Sequence, residues 1–388
     1  MRALFDYQAF EFQRIGGVSR SYAELIPRLR KNGCDCQVSV KESDNVYLAS
    51  ADLLPSILPL HYHYDHFMRG KKLFWGQRAL TRAAFHLFGY SDGGRRFNQD
   101  YSIKILKRNR FDVFEPTYFD SYFLPYLKGK PFVMTVHDMI PELYPQYFAR
   151  DDYQIVQKKK LCHLAAHIHV PSDTTKQDLI TILNIPPERI SVIPHGGPDI
   201  EDNDLITKRL FDFPYILYVG DRYGYKNFHL WLKTVAKVVN DYPEIHVVCT
   251  GKPFNDEEMK LIHELHLDQS VCHFFATKET FGSLYHNAIT FVYPSDYEGF
   301  GLPILEAFAY GCPVMLNNAS CFPEVGGDAV LFFNMRQGSS DFYDQFKYLY
   351  SMGKNERNQL IEKGKKRLQA YSWEKSARQL LDIYQRIV

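Results

Sequence analysis

Short runs of β-branched and aromatic residues alternate with segments whose apolar positions recur every three to four residues along most of the chain. The first pattern, bounded by turn residues, predicts buried strands, and the second predicts amphipathic helices. Strands are expected at 2–6, 36–40, 112–114, 132–136, 167–170 and 190–193, and again at 215–219, 246–250, 271–274, 289–293, 313–316 and 329–332. Helices are expected to fill the gaps, for example at 18–32, 151–166, 173–184, 227–241, 255–265, 303–310 and 373–388. Parallel strands need a crossover and a helix is the usual one, so this alternation argues for parallel α/β layers. All periodicity stops at Pro194-His195-Gly196-Gly197-Pro198-Asp199, with Glu201, Asp202 and Asp204 following. That break predicts a seam between two Rossmann-like domains, residues 1–198 and 199–370, with a cleft between them.

A chain of 388 residues exceeds what one hydrophobic core usually supports, which agrees with two domains. Its seven cysteines are odd in number and scattered without a CxxC pair, so neither a disulfide framework nor a zinc site is expected, and a reducing cytoplasm fits. No apolar run approaches the ~18 residues of a membrane span, and Arg2-Ala3-Leu4-Phe5-Asp6 enters a strand without a signal-like leader. A soluble protein, at most lying on a membrane surface, is expected. The net charge of +1 hides an asymmetry: residues 1–200 hold 26 Lys+Arg against 21 Asp+Glu (+5), and residues 201–388 hold 20 against 24 (−4). Within 69–110, eleven basic residues face only Asp92 and Asp100, so something anionic is expected to dock on the first half. The basic and aromatic stretch 67–110 suits peripheral contact with an anionic membrane or an acceptor lipid's phosphate, and equally a solvated helix packed on the domain. The run His61-Tyr62-His63-Tyr64-Asp65-His66 invites a metal reading, but with no second ligand cluster nearby it reads as an aromatic surface strand or loop, and no metal is expected. Nothing points to nucleic acid.

Three strand ends carry candidate chemistry. The strand 289–293, closed by Pro294, leads into Glu298-Gly299-Phe300-Gly301-Leu302-Pro303-Ile304-Leu305-Glu306. Pro303 suits the first turn of a helix, so the amides of Gly301 and Leu302 gather at a helix N-terminus, a site for anions. Glu298 before the turn and Glu306 inside the helix can face one crevice and accept hydrogen bonds from sugar and ribose hydroxyls. The strand 215–219 delivers Arg222 and Lys226, a guanidinium fork and a mobile ammonium suited to a pyrophosphate. The strand 132–136 delivers His137 and Asp138 at the edge where α/β sheets bind ligands, with Glu142 in the next turn. Gly16 and Gly17, ahead of the first amphipathic helix, permit close backbone approach to a ligand. They lack the GxGxxG spacing of dinucleotide binders, which counts against an oxidoreductase.

In order and spacing these motifs resemble the retaining glycosyltransferases of family 4, with the two-domain GT-B architecture. The resemblance is specific over 215–316 and at Tyr371-Ser372-Trp373-Glu374, and weak over 41–110. It implies that residues 371–388 form a last helix crossing back onto the first domain. It also implies transfer of a sugar from a nucleotide-diphosphate sugar to an acceptor hydroxyl with retention of configuration, without a metal or other cofactor. Arg222 and Lys226 would hold the leaving diphosphate, with Gly17 contacting the donor from the opposite domain. Glu298 would hold the sugar, Glu306 the ribose, and the 299–302 amides the sugar or phosphate. His137 would stand near the reacting centre, Asp138 and Glu142 near the acceptor, and Thr277 in the region that chooses the base. The wording of 10–20 and 136–142 is similar to bacterial surface-polysaccharide enzymes, many of them mannosyltransferases, so GDP-mannose is the first expected donor and UDP-sugars the second. The acceptor would be a saccharide or lipid-linked saccharide, with the enzyme cytoplasmic or peripheral on the inner membrane face. His195 stands where the family usually has asparagine. A nucleotide-sugar hydrolase or epimerase on the same fold, or a non-catalytic nucleotide-sugar-binding subunit, would share the pocket.

Overall fold

The computed structural model describes residues 1–51, 53, 93–148, 153–198, 208–335 and 339–388. The histidine-rich run 61–66, the 67–92 part of the expected membrane contact and the acidic residues at 201–204 lie outside the described residues.

Each predicted apolar run coincides with a strand. The first half contains β1 (Arg2–Phe5), β2 (Asp35–Val38), β3 (Val113–Glu115), β4 (Val133–Thr135), β5 (His167–Val170) and β6 (Ile190–Val192). The second contains β7 (Tyr215–Tyr218), β8 (His246–Cys249), β9 (Val271–His273), β10 (Thr290–Tyr293), β11 (Val314–Asn317) and β12 (Leu331–Phe333). All pairings are parallel. In the first domain the ladder β2-β1-β3 meets β4-β5-β6 through a bridge between Phe114 and Phe132. The second domain is one six-stranded sheet in the order β12-β11-β10-β7-β8-β9. Strand order therefore reverses between β1 and β3 in one domain and between β7 and β10 in the other, and such reversals open a crevice at the carboxyl edge.

Helices cover both faces of the second sheet, which is why its strands read as unbroken apolar runs rather than alternating ones. Trp231, Leu232 and Val235 of the helix Phe228–Asp241 pack on one face, and Ile304, Phe308 and Phe322 on the other. Local signals set helix ends. Ser172 Oγ accepts from Thr175 N at 3.1 Å to start Asp173–Leu183, and Asn184 closes it at φ 53°. Gly301, at φ 92°, precedes Leu302–Ala309, with Pro303 in its first turn.

The last helix, Trp373–Ile387, crosses back onto the first domain. Its Trp373, Ala377, Leu380 and Tyr384 join the core formed by Phe5, Tyr22, Ile26 and Leu29, the last three from the helix Gly17–Lys31. Full burial of each large apolar side chain there contributes about 1.5–3 kcal/mol. Tyr384 donates to the fully buried Glu115 carboxylate, and Ser376 Oγ donates to Pro194 O at 2.5 Å, which fastens the crossover at the seam. No helix among the described residues is long and apolar enough to cross a membrane.

Candidate active site

The second domain's reversal point gathers its chemistry because the segments after β7 and β10 are sewn together there. Asp296 N donates to Tyr225 O at 2.9 Å, and Asn227 Nδ2 to Pro294 O at 3.1 Å. Lys226, ending a short turn after β7, donates to Glu298 Oε1, with Tyr225 and Tyr293 rings about its ammonium at 5.3 and 5.5 Å. Glu298 is held from behind by Ser320, whose hydroxyl donates to Glu298 O at 2.7 Å and accepts from Glu298 N at 3.3 Å. Eight residues on, Glu306 uses both oxygens. Oε2 accepts from Tyr285 OH at 2.9 Å, and Oε1 accepts from Arg20, which belongs to the opposite domain. Burial, and then the Glu306 charge, hold the Tyr285 phenol well above its ordinary pKa, so it stays a donor.

The cleft is closed. A Cβ on Gly17 would lie 3.7 Å from Leu302 Cδ1, so the start of the first domain's helix abuts the start of Leu302–Ala309. Gly299 backs directly onto the His137 carbonyl, with 2.9 Å between the position of a Cβ and His137 C. Around this contact Tyr223 OH donates to Tyr147 O at 2.7 Å, Tyr297 donates to Asp178, and the Glu324 carboxylate accepts from Asp173 N at 3.0 Å. His137 Nε2 is buried with no hydrogen-bond partner among the described residues, while its ring meets Tyr22 edge-on at 6.0 Å. Burial, then the neighbouring His195, push its pKa well below the usual imidazole value, so it is neutral at pH 7. An unpaired buried nitrogen is costly, and a ligand hydroxyl would relieve that cost.

Other expected site residues lie apart from this group. Arg222 does not join Lys226: it turns toward the β8 side and donates to Glu258 Oε1 (2.8 Å) and Oε2 (3.2 Å) and to the carbonyls of Thr250 (3.2 Å), Lys252 (2.6 Å) and Pro253 (3.0 Å). Phe254 and Phe228 stack on its guanidinium. The reason is local: the Asn255 capping box fixes Glu258 in the first turn of the next helix, directly in reach. Thr277 caps the helix after the edge strand β9, two strands out from β7, and its hydroxyl lies 3.3 Å from that of Thr280. Asp138 Oδ1 accepts from Ile140 N at 3.0 Å and so shapes its own turn. Glu142 forms a buried ion pair with Lys158 at 2.7 Å. Phe300 packs on His195 and Tyr371 at 5.1 and 5.6 Å and is buried. Arg20, Tyr285 and Lys158 escaped the sequence reading. Only Arg20 carried a signal, three positions after Gly17 on the helix that the glycine loop starts. His195 lies between Phe300, Trp373 and His137, with its pKa pushed down to about 3, chiefly by burial.

Two family models divide this chain at the seam: Glycosyltransferase Family 4 matches residues 15–197 and Glycosyl transferases group 1 matches residues 202–367. The chain belongs to the family 4 glycosyltransferases. It is 30% identical over 54% of its length to the O-antigen chain mannosyltransferase RfbU of Salmonella typhimurium. It is also 29% identical over 54% of its length to the O-antigen chain mannosyltransferase B of Escherichia coli. These matches span 58% and 59% of the two relatives. In fold it is similar to Anabaena Alr3699/HepE, solved with UDP-glucose, at a TM-score of 0.70 over the whole of both chains with 13% identity. This family 4 glycosyltransferase thus has the GT-B fold, with its cleft between the two Rossmann-like domains.

Proposed function

We propose that this glycosyltransferase moves a mannosyl unit from GDP-mannose, or another hexosyl unit from a UDP-sugar, to a hydroxyl of a saccharide or lipid-linked saccharide in surface-polysaccharide synthesis. The observation that carries the reading is the pair of carboxylates at the β7/β10 reversal point, Glu298 and Glu306, each engaged by a cation. The O-antigen mannosyltransferase relatives support the sugar, and UDP-glucose in the structural neighbour supports a nucleotide-sugar donor.

In this reading Glu298 accepts from the sugar's hydroxyls and Glu306 from the ribose. The amides at 299–302 and Gly17 stand against the diphosphate. Lys226, released from Glu298, neutralises the departing diphosphate, the electrostatic stabilisation that dominates such transfers. The bond from the anomeric carbon to the phosphate oxygen breaks and the acceptor oxygen bonds to that carbon on the same face, so configuration is retained. The acceptor's proton passes to the departing phosphate oxygen. His137, neutral, hydrogen-bonds a sugar hydroxyl through its unpaired Nε2. Arg222 acts by holding the loop that presents Lys226 and Thr277 by shaping its helix, and Asp138 and Glu142 act on the acceptor side through the turn they build. Cationic side chains and two facing helix N-termini supply the positive charge, so the reaction is proposed to need no metal. Exposed Lys104, Lys107, Arg108 and Arg110 are suited to an anionic membrane that would present a lipid-linked acceptor.

The test is binding and turnover of GDP-, UDP-, dTDP- and ADP-sugars with EDTA present, for the wild type, Lys226→Ala and Glu298→Ala. One donor should bind selectively in EDTA, and Lys226→Ala should weaken it about 10- to 100-fold, as expected for loss of a charge-assisted contact. The product's anomeric configuration, read by NMR, should match the donor's. Donor turnover without acceptor would instead identify a hydrolase or epimerase, binding without turnover a non-catalytic subunit, and a requirement for divalent cation would defeat the metal-free scheme.

A further inference from the structure

A diphosphate carries two negative charges, and Lys226 alone matches one of them. Arg222, the other cation of the same loop, donates five hydrogen bonds to Glu258 and three carbonyls, and these turn it toward the β8 side, away from Lys226. Arg20 is in the opposite condition. Among the described residues Glu306 is the only hydrogen-bond partner of its side chain, although a guanidinium offers five N–H donors in a fork that fits phosphate. It sits in the first turn of the helix that Gly17 starts, and it reaches across 286 positions of sequence to a carboxylate that is almost wholly buried.

We propose that Arg20 is a diphosphate ligand supplied by the first domain, held on Glu306 until the nucleotide arrives. The inference rests on the donor assignments above. Each carboxylate is neutralised by one cation: Glu298 by Lys226, and Glu306 by Arg20. When the ribose hydroxyls donate to Glu306, they replace the guanidinium as its partner. Tyr285 continues to donate to the other oxygen and keeps the carboxylate in place. In any nucleoside diphosphate the first phosphate is joined to the ribose through a single C5′–O bond. A guanidinium displaced from the ribose acceptor therefore needs only a side-chain rotation, not a domain movement, to meet that phosphate. Two such exchanges, at Glu298 and at Glu306, would turn both cations onto the diphosphate while both carboxylates turn onto hydroxyls. Because Arg20 and Glu306 belong to different domains, the exchange also makes the closed cleft the one that grips the leaving group.

The test compares diphosphate and nucleoside binding to the full chain by calorimetry, using GDP with guanosine and UDP with uridine. For the pair that binds the wild type, Arg20→Gln should weaken the diphosphate about 10- to 100-fold, the loss expected for one charge-assisted contact. The nucleoside should bind unchanged or tighter, because Glu306 has been freed. Arg20→Lys should restore part of the diphosphate affinity. Glu306→Gln should do the reverse, weakening the nucleoside more than it weakens the diphosphate contribution. Melting temperatures check that each variant is folded, and the Glu306→Gln pattern stands on its own if Arg20→Gln does not fold. A ratio of diphosphate to nucleoside affinity that Arg20→Gln leaves within about threefold of wild type would make the ion pair a structural tie and overturn the proposal. If neither diphosphate binds the wild type, the nucleotide-sugar reading itself falls and this inference with it.

Discussion

Gly299→Ala tests whether the cleft must close for transfer. A Cβ on Gly299 would stand 2.9 Å from His137 C and 3.1 Å from Asp138 Cβ, with the His137 carbonyl oxygen nearer still. Carbon–carbon contacts relax at about 3.5–4.0 Å, so the shortfall at the carbonyl carbon alone is roughly 0.6–1.1 Å. Two of the three obstructing atoms are backbone, so no rotamer change relieves the clash. Gly299 lies outside the left-handed region, so alanine meets no backbone strain of its own. The obstruction therefore acts between the domains and forces them apart by about 1 Å. A displacement of that size costs on the order of 100-fold when it falls between reacting groups. The expected result is a fall of about 100-fold in kcat/KM for transfer, because the first domain's groups no longer reach the donor held by Lys226, Glu298 and Glu306. The melting temperature should move by less than about 2 °C, since neither domain core is touched. Initial-rate kinetics with the donor that binds, alongside Gly353→Ala, where an added Cβ meets nothing within 4 Å, is the assay. A Gly299→Ala enzyme that transfers sugar within about threefold of the wild-type rate would refute the reasoning.

Two further predictions concern groups that the closed structure buries. Arg222→Met should act on stability rather than on phosphate recognition: it strands Glu258 without its counter-charge, at a cost of about 3–5 kcal/mol for a broken buried pair. At roughly 2–4 °C per kcal/mol for a domain of this size, differential scanning calorimetry should show a fall of about 6–20 °C in the second domain's melting, and a fall under about 2 °C would count against it. Acid should weaken the first domain and its seam. His137 is held well below its ordinary pKa, with His167 pushed down to about 4 and His195 to about 3, in each case chiefly by burial. For a base whose folded pKa is depressed, the unfolded chain binds the extra proton, so the stability is complete above the unfolded value near 6.5 and is lost as pH falls toward the folded one. Each such histidine contributes at most about 1.4 kcal/mol per pH unit in that window. Asp6, Asp178 and Glu324, whose pKa values burial raises, pull the other way at lower pH, so urea melts at pH 7 and pH 5 are the comparison. Equal midpoints at the two pH values would show that these histidines are not shielded.

The strands were legible because burial on both faces of a parallel sheet demands continuous apolar runs, and such runs have no other use in a soluble domain. Tyr215-Ile216-Leu217-Tyr218 and Thr290-Phe291-Val292-Tyr293 are examples, each wholly buried. Helix starts were legible where a side chain must satisfy free amides, as at Ser172, or where proline and glycine mark a first turn, as at Gly301 and Pro303. The reach of Lys226 to Glu298 could be anticipated because both ends lie at strand termini that the alternation brings to one edge. Arg222 misled for a physical reason. Its spacing from Lys226 suggested a shared target, yet the capped Glu258 a short loop away offers a charged partner that is fixed and already desolvated. Lys158 gave no signal, because Lys158-Lys159-Lys160 does not show which of its three lysines turns inward; only Lys158 does, and Glu142 meets it there.

The sequence by itself determined the α/β class, the two domains, the strand positions, the seven helices located by periodicity and the carboxylate motif, since each of these follows from local burial and turn chemistry. Helices such as Gly93–Arg108, Lys278–His286, Ser339–Ser351 and Lys354–Leu368 were not among those located. Tertiary structure decided which charge meets which. Arg20 and Glu306 lie 286 positions apart, and Tyr384 and Glu115 lie 269 apart. Periodicity records that a side chain is buried or exposed, but it holds no information on which distant side chain will occupy the other half of a hydrogen bond. That choice is made when two sheets, each complete in itself, close on a common cleft and the desolvation cost of an unpaired charge leaves only one arrangement of partners.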